Sequence, residues 1–371
     1  MHTFYTSRRI LLLPLTLLFF ACSQNAAEED PKPVDPFNPT PYTLQLPKTF
    51  TNNYPRFEDN PMTKDGVELG RHLFYEKRLS GNNTMSCGSC HQQEKAFTDG
   101  KALAVGIDGN QHRRNAMSLA NLLWFFNYNW DGSALTLEEQ ARIPIESEVE
   151  LHQPLAEGVK KLQNTALYPP MFRKAFGSDT ITEANILKAL AQFQRTLISA
   201  DSRYDRYLAG EQALTPDEQE GMKLFMTHPE PGIALRGGNC GDCHGGTLLS
   251  MRTMQNNGLD ETLTDLGYGA VTGREVDNGK FKVPSLRNIA LTAPYMHDGR
   301  FNTLEEVLDH YNEHIKYNSP HLSPLIIEAT NEVGGKTLLI TQEEKRKIIA
   351  FLHTLTDSTF IANPKFSDPF K

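Results

Sequence analysis

Apolar residues recur at helical spacing along most of the chain, and two apolar patterns occur twice. The pattern Gly-x-x-Leu-Phe spans residues 70–74 and 221–225, and each copy belongs to a predicted short helix. The pattern Phe-x-x-Thr-Leu spans residues 193–197 and 351–355, and each copy lies on a predicted amphipathic helix. Long alternation of β-branched residues, the signal of a strand, is missing. The sequence therefore predicts a mainly α protein with an internal repeat.

Two of these helices have recognisable start signals. Thr215 and Glu218 form a capping box, in which the Thr side chain and the Glu side chain each accept from the other residue's backbone N–H. Pro216 stands at the first helical position, where its missing N–H costs nothing. Thr341 and Glu344 form a second capping box. Each box predicts a helix that begins directly after its Thr.

The first 21 residues are typical of a secretory signal. Basic Arg8 and Arg9 precede the apolar run 10–21 (ILLLPLTLLFFA). The run is too short to cross a bilayer core as a helix, which takes about 20 apolar residues. A short apolar run behind basic residues therefore predicts a signal peptide rather than a transmembrane span.

A cysteine follows the apolar run directly. Cys22, after Ala21 and before Ser23, resembles the lipobox of bacterial lipoproteins, in which this thiol takes a diacylglyceryl group; Phe19 stands where Leu is usual. An ordinary cleaved signal and an uncleaved anchor are the alternatives. Residues 22–49 are proline-rich and predict a flexible tether. The folded part is then expected in the periplasm or cell envelope, held to a membrane by lipid.

The composition excludes several protein classes. The 371 residues include 37 Lys and Arg against 45 Asp and Glu, a net charge of −8. Nucleic-acid binders concentrate positive charge, so this balance argues against that class. The sequence has no second long apolar run, which excludes a polytopic membrane protein. The five cysteines divide into Cys22 and two pairs, and the pairs carry the most specific chemistry.

Both cysteine pairs occur as Cys-x-x-Cys-His, the attachment pattern of c-type haem. The members are Cys87, Cys90 and His91 in the first half and Cys240, Cys243 and His244 in the second. Two thiols add to the vinyl groups of one porphyrin while the adjacent imidazole reaches the iron, so the pattern predicts two covalent c-type haems. A redox dithiol and a zinc site are the alternatives. A dithiol needs no adjacent His, and zinc would require the two pairs to converge in space.

Three further motifs accompany the haem sites. They are Trp130-Asp131-Gly132, the run 284–288 (PSLRN) and the run 293–299 (APYMHDG). With the two Cys-x-x-Cys-His units they resemble the bacterial diheme cytochrome c peroxidases and their relative MauG, over almost all of the chain after the tether. The resemblance implies two tandem cytochrome c-like domains: residues 50–205 with the peroxidatic haem, and residues 206–371 with the electron-transfer haem.

The resemblance assigns peroxide chemistry to the first haem. His91 would bind its iron, and Gln140, Pro144 and Glu150 match the family's distal pocket in their spacing from Trp130. Glu150 would be the acid and base that moves a proton between the two peroxide oxygens. Trp130 would relay electrons between the haems. The alternatives are a solvated Glu150 in an acidic stretch and a Trp130 that only packs.

The resemblance also implies a calcium ion and several partners. The calcium ligands would be the side chain of Asn115 and the backbone carbonyls of Thr292 and Pro294, neutral oxygens that calcium accepts. Hydrogen peroxide would be the substrate, and a small cytochrome c or a cupredoxin would supply electrons. A homodimer is a further expectation, because many relatives dimerise. The lipid anchor is the only expected contact with a membrane.

The sequence departs from the peroxidase pattern at the first haem. In many of these enzymes a distal His closes the peroxidatic haem until the other haem is reduced. The matching position, counted back from Asn115, is Ile107. His112 lies nearby and is the alternative switchable ligand. The first haem is therefore expected to be open to peroxide without reductive activation.

A second departure concerns the other face of the His244 haem. The position of the family's Met ligand is taken by Tyr311, as in MauG. A phenolate is a hard anionic ligand that favours ferric iron, so this haem is expected to have a low potential. The alternatives for this ligand are His310, Met296, Met254 and Met251.

Two functions remain in competition. Peroxide reduction at the first haem is the leading expectation, with Gln140 and Glu150 assisting. The rival is MauG-like chemistry, in which peroxide is used to oxidise Trp or Tyr residues of a partner protein. Tyr311 and the missing distal His favour the rival. A plain electron carrier is disfavoured, because a carrier does not need the distal Gln and Glu.

Overall fold

The computed structural model describes residues 1–6 and 37–371. The rest of the predicted signal peptide, the predicted lipidation site Cys22 and the first part of the predicted tether fall in residues 7–36, outside the described residues. Among the described residues, no helix has both the length and the apolar character needed to span a bilayer.

The structure is built mainly from α-helices. They are α1 (Lys64–Tyr75), α2 (Cys87–Cys90), α3 (Leu137–Glu146), α4 (Leu155–Gln163), α5 (Tyr168–Phe176), α6 (Glu183–Arg195), α7 (Arg203–Leu208), α8 (Pro216–Met226), α9 (Gly241–His244), α10 (Tyr268–Thr272), α11 (Leu304–Asp309), α12 (Pro324–Ile327), α13 (Gln342–His353) and α14 (Ser358–Ile361). Short 3-10 turns lie at Lys77–Leu79, Gln93–Lys95, Leu122–Trp124, Pro231–Ile233, Glu275–Asp277 and Ile289–Leu291, and a π-turn at His310–His314 follows α11.

Strands are as scarce as the sequence predicts. In the described part of the chain, the only strands longer than an isolated bridge are β1 (Met254–Gln255) and β2 (Phe281–Lys282). They pair antiparallel, with Met254 opposite Lys282 and Gln255 opposite Phe281. The prediction of a mainly α fold is therefore confirmed.

The internal repeat corresponds to two crossed helix pairs, α1 with α6 and α8 with α13. Each crossing is closest at the glycine of the Gly-x-x-Leu-Phe pattern. A Cβ on Gly70 would overlap the carbonyl oxygen of Ala189 in α6, and a Cβ on Gly221 would overlap that of Lys347 in α13. The glycines are therefore required because a backbone of the partner helix occupies the place of a side chain.

The ends of the repeated helices also correspond. Thr215 and Thr341 accept backbone N–H groups three residues on, as the two capping boxes predict, and α8 and α13 begin directly after them. At the other end, the Thr of the Phe-x-x-Thr-Leu pattern caps the second helix of each pair, α6 or α13. The hydroxyls of Thr196 and Thr354 donate to the carbonyls three residues back, each at 2.6 Å.

Each half has its own apolar core. In the first, the rings of Phe74 and Phe193 lie 5.3 Å apart, and in the second the rings of Phe225 and Phe351 lie 5.4 Å apart. The last helix, α14, leaves the second half and packs Phe360 into the first core. In space, the C-terminal segment therefore belongs with the first half, although it lies beyond residue 206 in the chain.

The junction between the halves contains a buried ion pair. Arg287, from the PSLRN run, donates two hydrogen bonds of 2.8 Å to the carboxylate of Asp205 in α7. Both side chains are almost fully buried. The guanidinium carbon also lies 4.5 Å from the ring centre of Phe50. Phe50 in turn packs edge-on against Trp124, which is fully buried.

Candidate active site

One continuous cavity of about 860 Å³ reaches both Cys-x-x-Cys-His motifs. Its wall contains the two cysteines and the His of each motif. It also contains Trp130, which comes from the loop between α2 and α3. The fold therefore brings together two motifs that are 153 residues apart in the chain, as their numbering shows. The two motifs line the same cavity, but their side chains do not converge on one point where a single metal ion could bind.

The two motif histidines are oriented in the same way. His91 directs Nδ1 to the carbonyl of Phe97 at 2.8 Å, and His244 directs Nδ1 to the carbonyl of Leu249 at 3.3 Å. Such a bond fixes the tautomer and leaves Nε2 as the ligating atom. Burial lowers the pKa of both imidazoles, that of His244 to about 4, so both are neutral at pH 7.

The four motif thiols lie half-buried in the same wall. Burial raises the pKa of Cys87 and Cys240 to about 12, and that of Cys90 and Cys243 to about 11. A reactive redox dithiol has a lowered pKa, so the dithiol alternative is not supported. Within residues 1–6 and 37–371, no three His, Cys, Asp or Glu side chains come together in a way that could hold a metal ion. The zinc alternative is therefore not supported either.

The first motif faces the predicted distal residues. Gln140 and Pro144 lie one turn apart on α3, and both line the cavity. Glu150 follows α3 in a turn and lines the same wall. Burial has the largest effect on the pKa values of His91 and Cys90, and the negative charge of Glu150 is a smaller effect that raises both. The carboxylate therefore lies near the first motif. Its neighbour Glu148 is exposed and outside the cavity.

A short loop closes over the segment that carries Glu150. Val105 and Gln111 pair across this loop, and the N–H of Ile107 donates to the carbonyl of Glu150 at 2.9 Å. Ile107 is not part of the cavity wall, but His112 is. The backbone N–H of Arg114 donates to Nδ1 of His112 at 3.1 Å, which restrains that ring.

Trp130 is held by polar contacts on both sides. Its indole N–H donates to the carbonyl of Asn115 at 2.9 Å. The next residue, Asp131, forms an ion pair with Arg114, and Arg114 also binds Asp265 from the second half at 2.8 Å. These contacts fix the indole at the junction of the two halves, where it borders the shared cavity.

Two candidate ligands border the second motif. Tyr311 and Met296 both line the cavity, and Tyr311 lies on the π-turn after α11. The side-chain amide of Asn257 donates to the Tyr311 oxygen at 3.2 Å and approaches the Met296 sulfur at 3.5 Å. Burial raises the pKa of Tyr311 to about 12, and the Asn257 hydrogen bond acts in the opposite direction.

The other candidates for this ligand lie outside the cavity wall. His310 directs Nε2 to the carbonyl of Asn257 at 3.0 Å, and Met251 is half exposed. Met254 packs its methyl group over Gly132. His297, for which no iron ligand role is predicted, stacks on the ring of Phe281 with the ring centres 3.7 Å apart. The structure thus leaves Tyr311 and Met296 as the two ligand candidates.

The predicted calcium ligands lie on the same cavity wall. Asn115, Thr292 and Pro294 all line it. The amide nitrogen of Asn115 donates to the carbonyl of Lys101 at 2.7 Å, which leaves its side-chain oxygen for another partner. The backbone N–H of Asn115 donates to the carbonyl of His297 at 2.7 Å, so this residue joins the two halves.

The donors in this cavity fit two haems. Each end offers two thiols, one neutral imidazole with a free Nε2, and apolar side chains around them. A sequence reading missed two side chains of this wall, Asn257 and Lys282, because neither belongs to a residue pattern with known chemistry. Their significance depends on the side chains that the fold places around them.

A family model described as di-haem cytochrome c peroxidase matches residues 64–213. The chain is 36% identical over 305 residues to the methylamine utilization protein MauG of Methylorubrum extorquens, covering 81% of each chain. The chain belongs to the di-haem cytochrome c peroxidase and MauG family. This diheme peroxidase is also 34% identical over 301 residues to cytochrome c551 peroxidase of Nitrosomonas europaea, covering 80% of this chain and 81% of that protein.

A solved structure shows the same relationship. The diheme peroxidase matches the crystal structure of a MauG-like protein associated with microbial copper homeostasis with a TM-score of 0.77 and 39% identity, covering 89% of this chain and 100% of that chain. The fold is therefore α-rich and cytochrome c-like. Relatives carry both the peroxidase and the MauG names, so the protein is an oxidoreductase with diheme peroxidase activity. Membership of the family implies two c-type haems.

Proposed function

We propose that the protein reduces hydrogen peroxide to water at a haem attached to Cys87 and Cys90, with electrons passing through a second haem attached to Cys240 and Cys243. The observation that carries the proposal is the single cavity that both motifs share, with Glu150 on its wall near the first motif. A pure electron carrier has no use for such a carboxylate.

Each distal residue has its own proposed role at the first site. When bound, the haem at His91 supplies the iron at which the O–O bond of peroxide breaks. Glu150 accepts the proton of one peroxide oxygen and delivers it to the other, which converts the leaving oxygen into water. Gln140 orients the peroxide by hydrogen bonding. Pro144, one turn further along α3, presents apolar surface that limits water in the pocket.

Trp130 is the proposed electron relay between the two sites. It borders the cavity that both motifs share, and its N–H is fixed by the carbonyl of Asn115. A fixed indole needs little reorganisation when it gains or loses an electron. The ion pair between Asp131 and Arg114 holds the adjacent backbone.

At the second site, His244 and Tyr311 are the residues that would hold the iron of the second haem. The π-turn at 310–314 adds one residue to the helical turn, which is a common device at functional sites. The hydrogen bond from Asn257 stabilises negative charge on the phenolic oxygen. Met296 is the competing ligand because its sulfur lies beside the same amide.

MauG-like oxidation of Trp or Tyr residues in a partner protein is the second candidate function. It is favoured by the position of Tyr311 in the cavity wall, because an anionic ligand stabilises oxidised iron. Ile107 at the position of the switching His favours it too, since the first site then needs no reductive activation. The partner is in this case a protein substrate rather than an electron donor.

Four further features belong to the same proposal. Calcium would bind the free side-chain oxygen of Asn115 and the carbonyls of Thr292 and Pro294. Covalent haem attachment takes place outside the cytoplasm, which supports a periplasmic or cell-envelope location with a lipid at Cys22. A small cytochrome c or a cupredoxin would donate electrons, and two copies of the chain would form a homodimer.

Stopped-flow spectroscopy of the diferric holoprotein with peroxide tests the proposal. We expect an immediate spectral change of the first haem without added reductant. A protein that responds only after reduction would contradict the open first site. Rapid steady-state oxidation of reduced cytochrome c would then favour the peroxidase over the MauG-like function, and its absence would favour the MauG-like function.

A further inference from the structure

Lys282 is a buried amine that has no charged partner in the part of the chain that the structure describes. The residue is only 5% exposed, and its backbone lies in the strand β2. Its Nζ donates to the carbonyl of Asn127 at 2.9 Å. Among the described residues it forms no ion pair with a carboxylate, and burial lowers its pKa to about 7.

The amine reaches from the second half of the chain into the first. Its Nζ lies 3.9 Å from the ring centre of Phe125 and 5.5 Å from that of Tyr128, and both rings belong to the first apolar core. The backbone N–H of Lys282 donates to the carbonyl of Trp130 at 2.8 Å. The backbone of Lys282 is therefore held beside the proposed relay residue, and Lys282 lines the shared cavity.

In this arrangement the ammonium group has more N–H donors than hydrogen-bond acceptors around it. A protonated lysine has three N–H donors, and the described residues supply one carbonyl acceptor and the faces of two rings. A charge removed from water is normally paired, because desolvation of an unpaired charge is costly. An anion that reaches the amine from the cavity side would supply this partner.

We propose that Lys282 binds a propionate carboxylate of the haem attached to Cys87 and Cys90, and that its charge raises the reduction potential of that haem. The inference rests on the proposed function only in requiring a haem at this motif. A positive charge beside the haem favours the state with one more electron, so it makes the first site a stronger oxidant. Lys282 thus acts by positioning the propionate of the first haem, and it belongs to the second half of the chain.

The test is an EPR-monitored redox titration of the holoprotein, in which the high-spin first haem and the low-spin second haem are followed separately. For Lys282→Met we expect the equilibrium constant for reduction of the first haem to fall about tenfold, which corresponds to about 59 mV for one electron. The second haem should shift less. Lys282→Arg, which keeps the charge, should retain most of the wild-type potential.

Lys280→Met is the matched control. Lys280 lies two residues away, is partly exposed and already pairs with Asp277 at 3.1 Å, so its removal should leave both potentials unchanged. An equal shift in the control, or an unchanged first haem in Lys282→Met, would overturn the inference.

Haem content, measured first on the wild-type protein, separates this inference from the proposed function. Fewer than two haems per chain would refute both. If Lys282→Met fails to fold or load haem, an experimental structure of the wild-type holoprotein decides the question. We expect a propionate oxygen within about 4 Å of Nζ, the limit of an ion pair, and a longer distance would overturn the inference.

Discussion

Glu150 illustrates how one residue acquires a role from its surroundings. Three glutamates, Glu146, Glu148 and Glu150, alternate along this stretch, and the first two are exposed. Only Glu150 lines the cavity, because the turn after α3 directs it inward while the loop at Ile107 binds its backbone. The chemistry of the three side chains is identical, so the difference lies in access to the cavity.

Replacing Glu150 with Gln should slow peroxide turnover without preventing peroxide binding. The amide keeps the shape of the side chain but cannot accept and return a proton, so we expect a loss of roughly 10²- to 10⁴-fold in the rate of O–O cleavage. Single-turnover stopped-flow spectra measure it. The matched control, Glu148→Gln, should behave as wild type, and equal rates for both variants would contradict the assignment.

Replacing Tyr311 with Phe should change the low-spin EPR signal of the second haem, because the proposed oxygen ligand is removed. Met296→Leu should leave that signal unchanged, since it removes only the competing sulfur. Tyr317→Phe, at a half-exposed tyrosine, controls for the loss of a phenol elsewhere. A signal that changes in Met296→Leu but persists in Tyr311→Phe would identify Met296 as the ligand.

At the scale of elements, the fold depends on two helix crossings that use the same device. Gly70 in α1 and Gly221 in α8 each lie against a backbone carbonyl of the partner helix. Both crossings also bring one Phe of each helix together at nearly the same ring distance. The Gly-x-x-Leu-Phe and Phe-x-x-Thr-Leu patterns are therefore the two sides of one packing unit.

Gly70→Ala and Gly221→Ala should each destabilise the protein. Alanine has the better helix propensity by about 1 kcal/mol. Its Cβ nevertheless has no space, because the obstructing atoms are backbone, and the strain should cost about 1 to 3 kcal/mol or more. Chemical denaturation of the holoprotein measures the change. Gly232→Ala is the control, since no atom lies within 4 Å of its Cβ position and the backbone is not left-handed.

At the scale of the whole molecule, the two halves are joined by buried polar contacts as well as by the cavity. Arg287 of the second half binds Asp205 at the end of the first, and the adjacent Asn288 donates to the hydroxyl of Ser199 at 2.9 Å. The carbonyl of the Asn288 side chain accepts from the N–H of Asp357, just before α14. The PSLRN run thus has a structural role that the motif alone does not reveal.

Arg287→Met should destabilise the junction by about 3 to 5 kcal/mol, because it leaves the Asp205 carboxylate buried without its charged partner. Adding Asp205→Asn should restore part of the loss by removing that charge. Thermal unfolding of the two variants measures both effects. Arg206→Met, which breaks an exposed pair with Asp201, should cost less than about 1 kcal/mol. A loss of similar size in Arg206→Met would contradict the importance of burial.

The sequence by itself determined the mainly α class, the repeat, the helix starts and the two haem motifs. These features depend on local spacing, which a chain carries whether or not it is folded. Capping boxes act within one turn, and two thiols with an adjacent imidazole lie within five residues.

Only the tertiary structure decided which residues share the cavity. It separated Glu150 from Glu148, reduced the candidates for the second ligand to Tyr311 and Met296, and placed Lys282 of one half beside the aromatic residues of the other. Such contacts join residues far apart in the chain, and they depend on burial and on the path of the backbone. Local residue patterns do not specify which distant segments meet, so the neighbours of Lys282 become visible only when both halves are packed together.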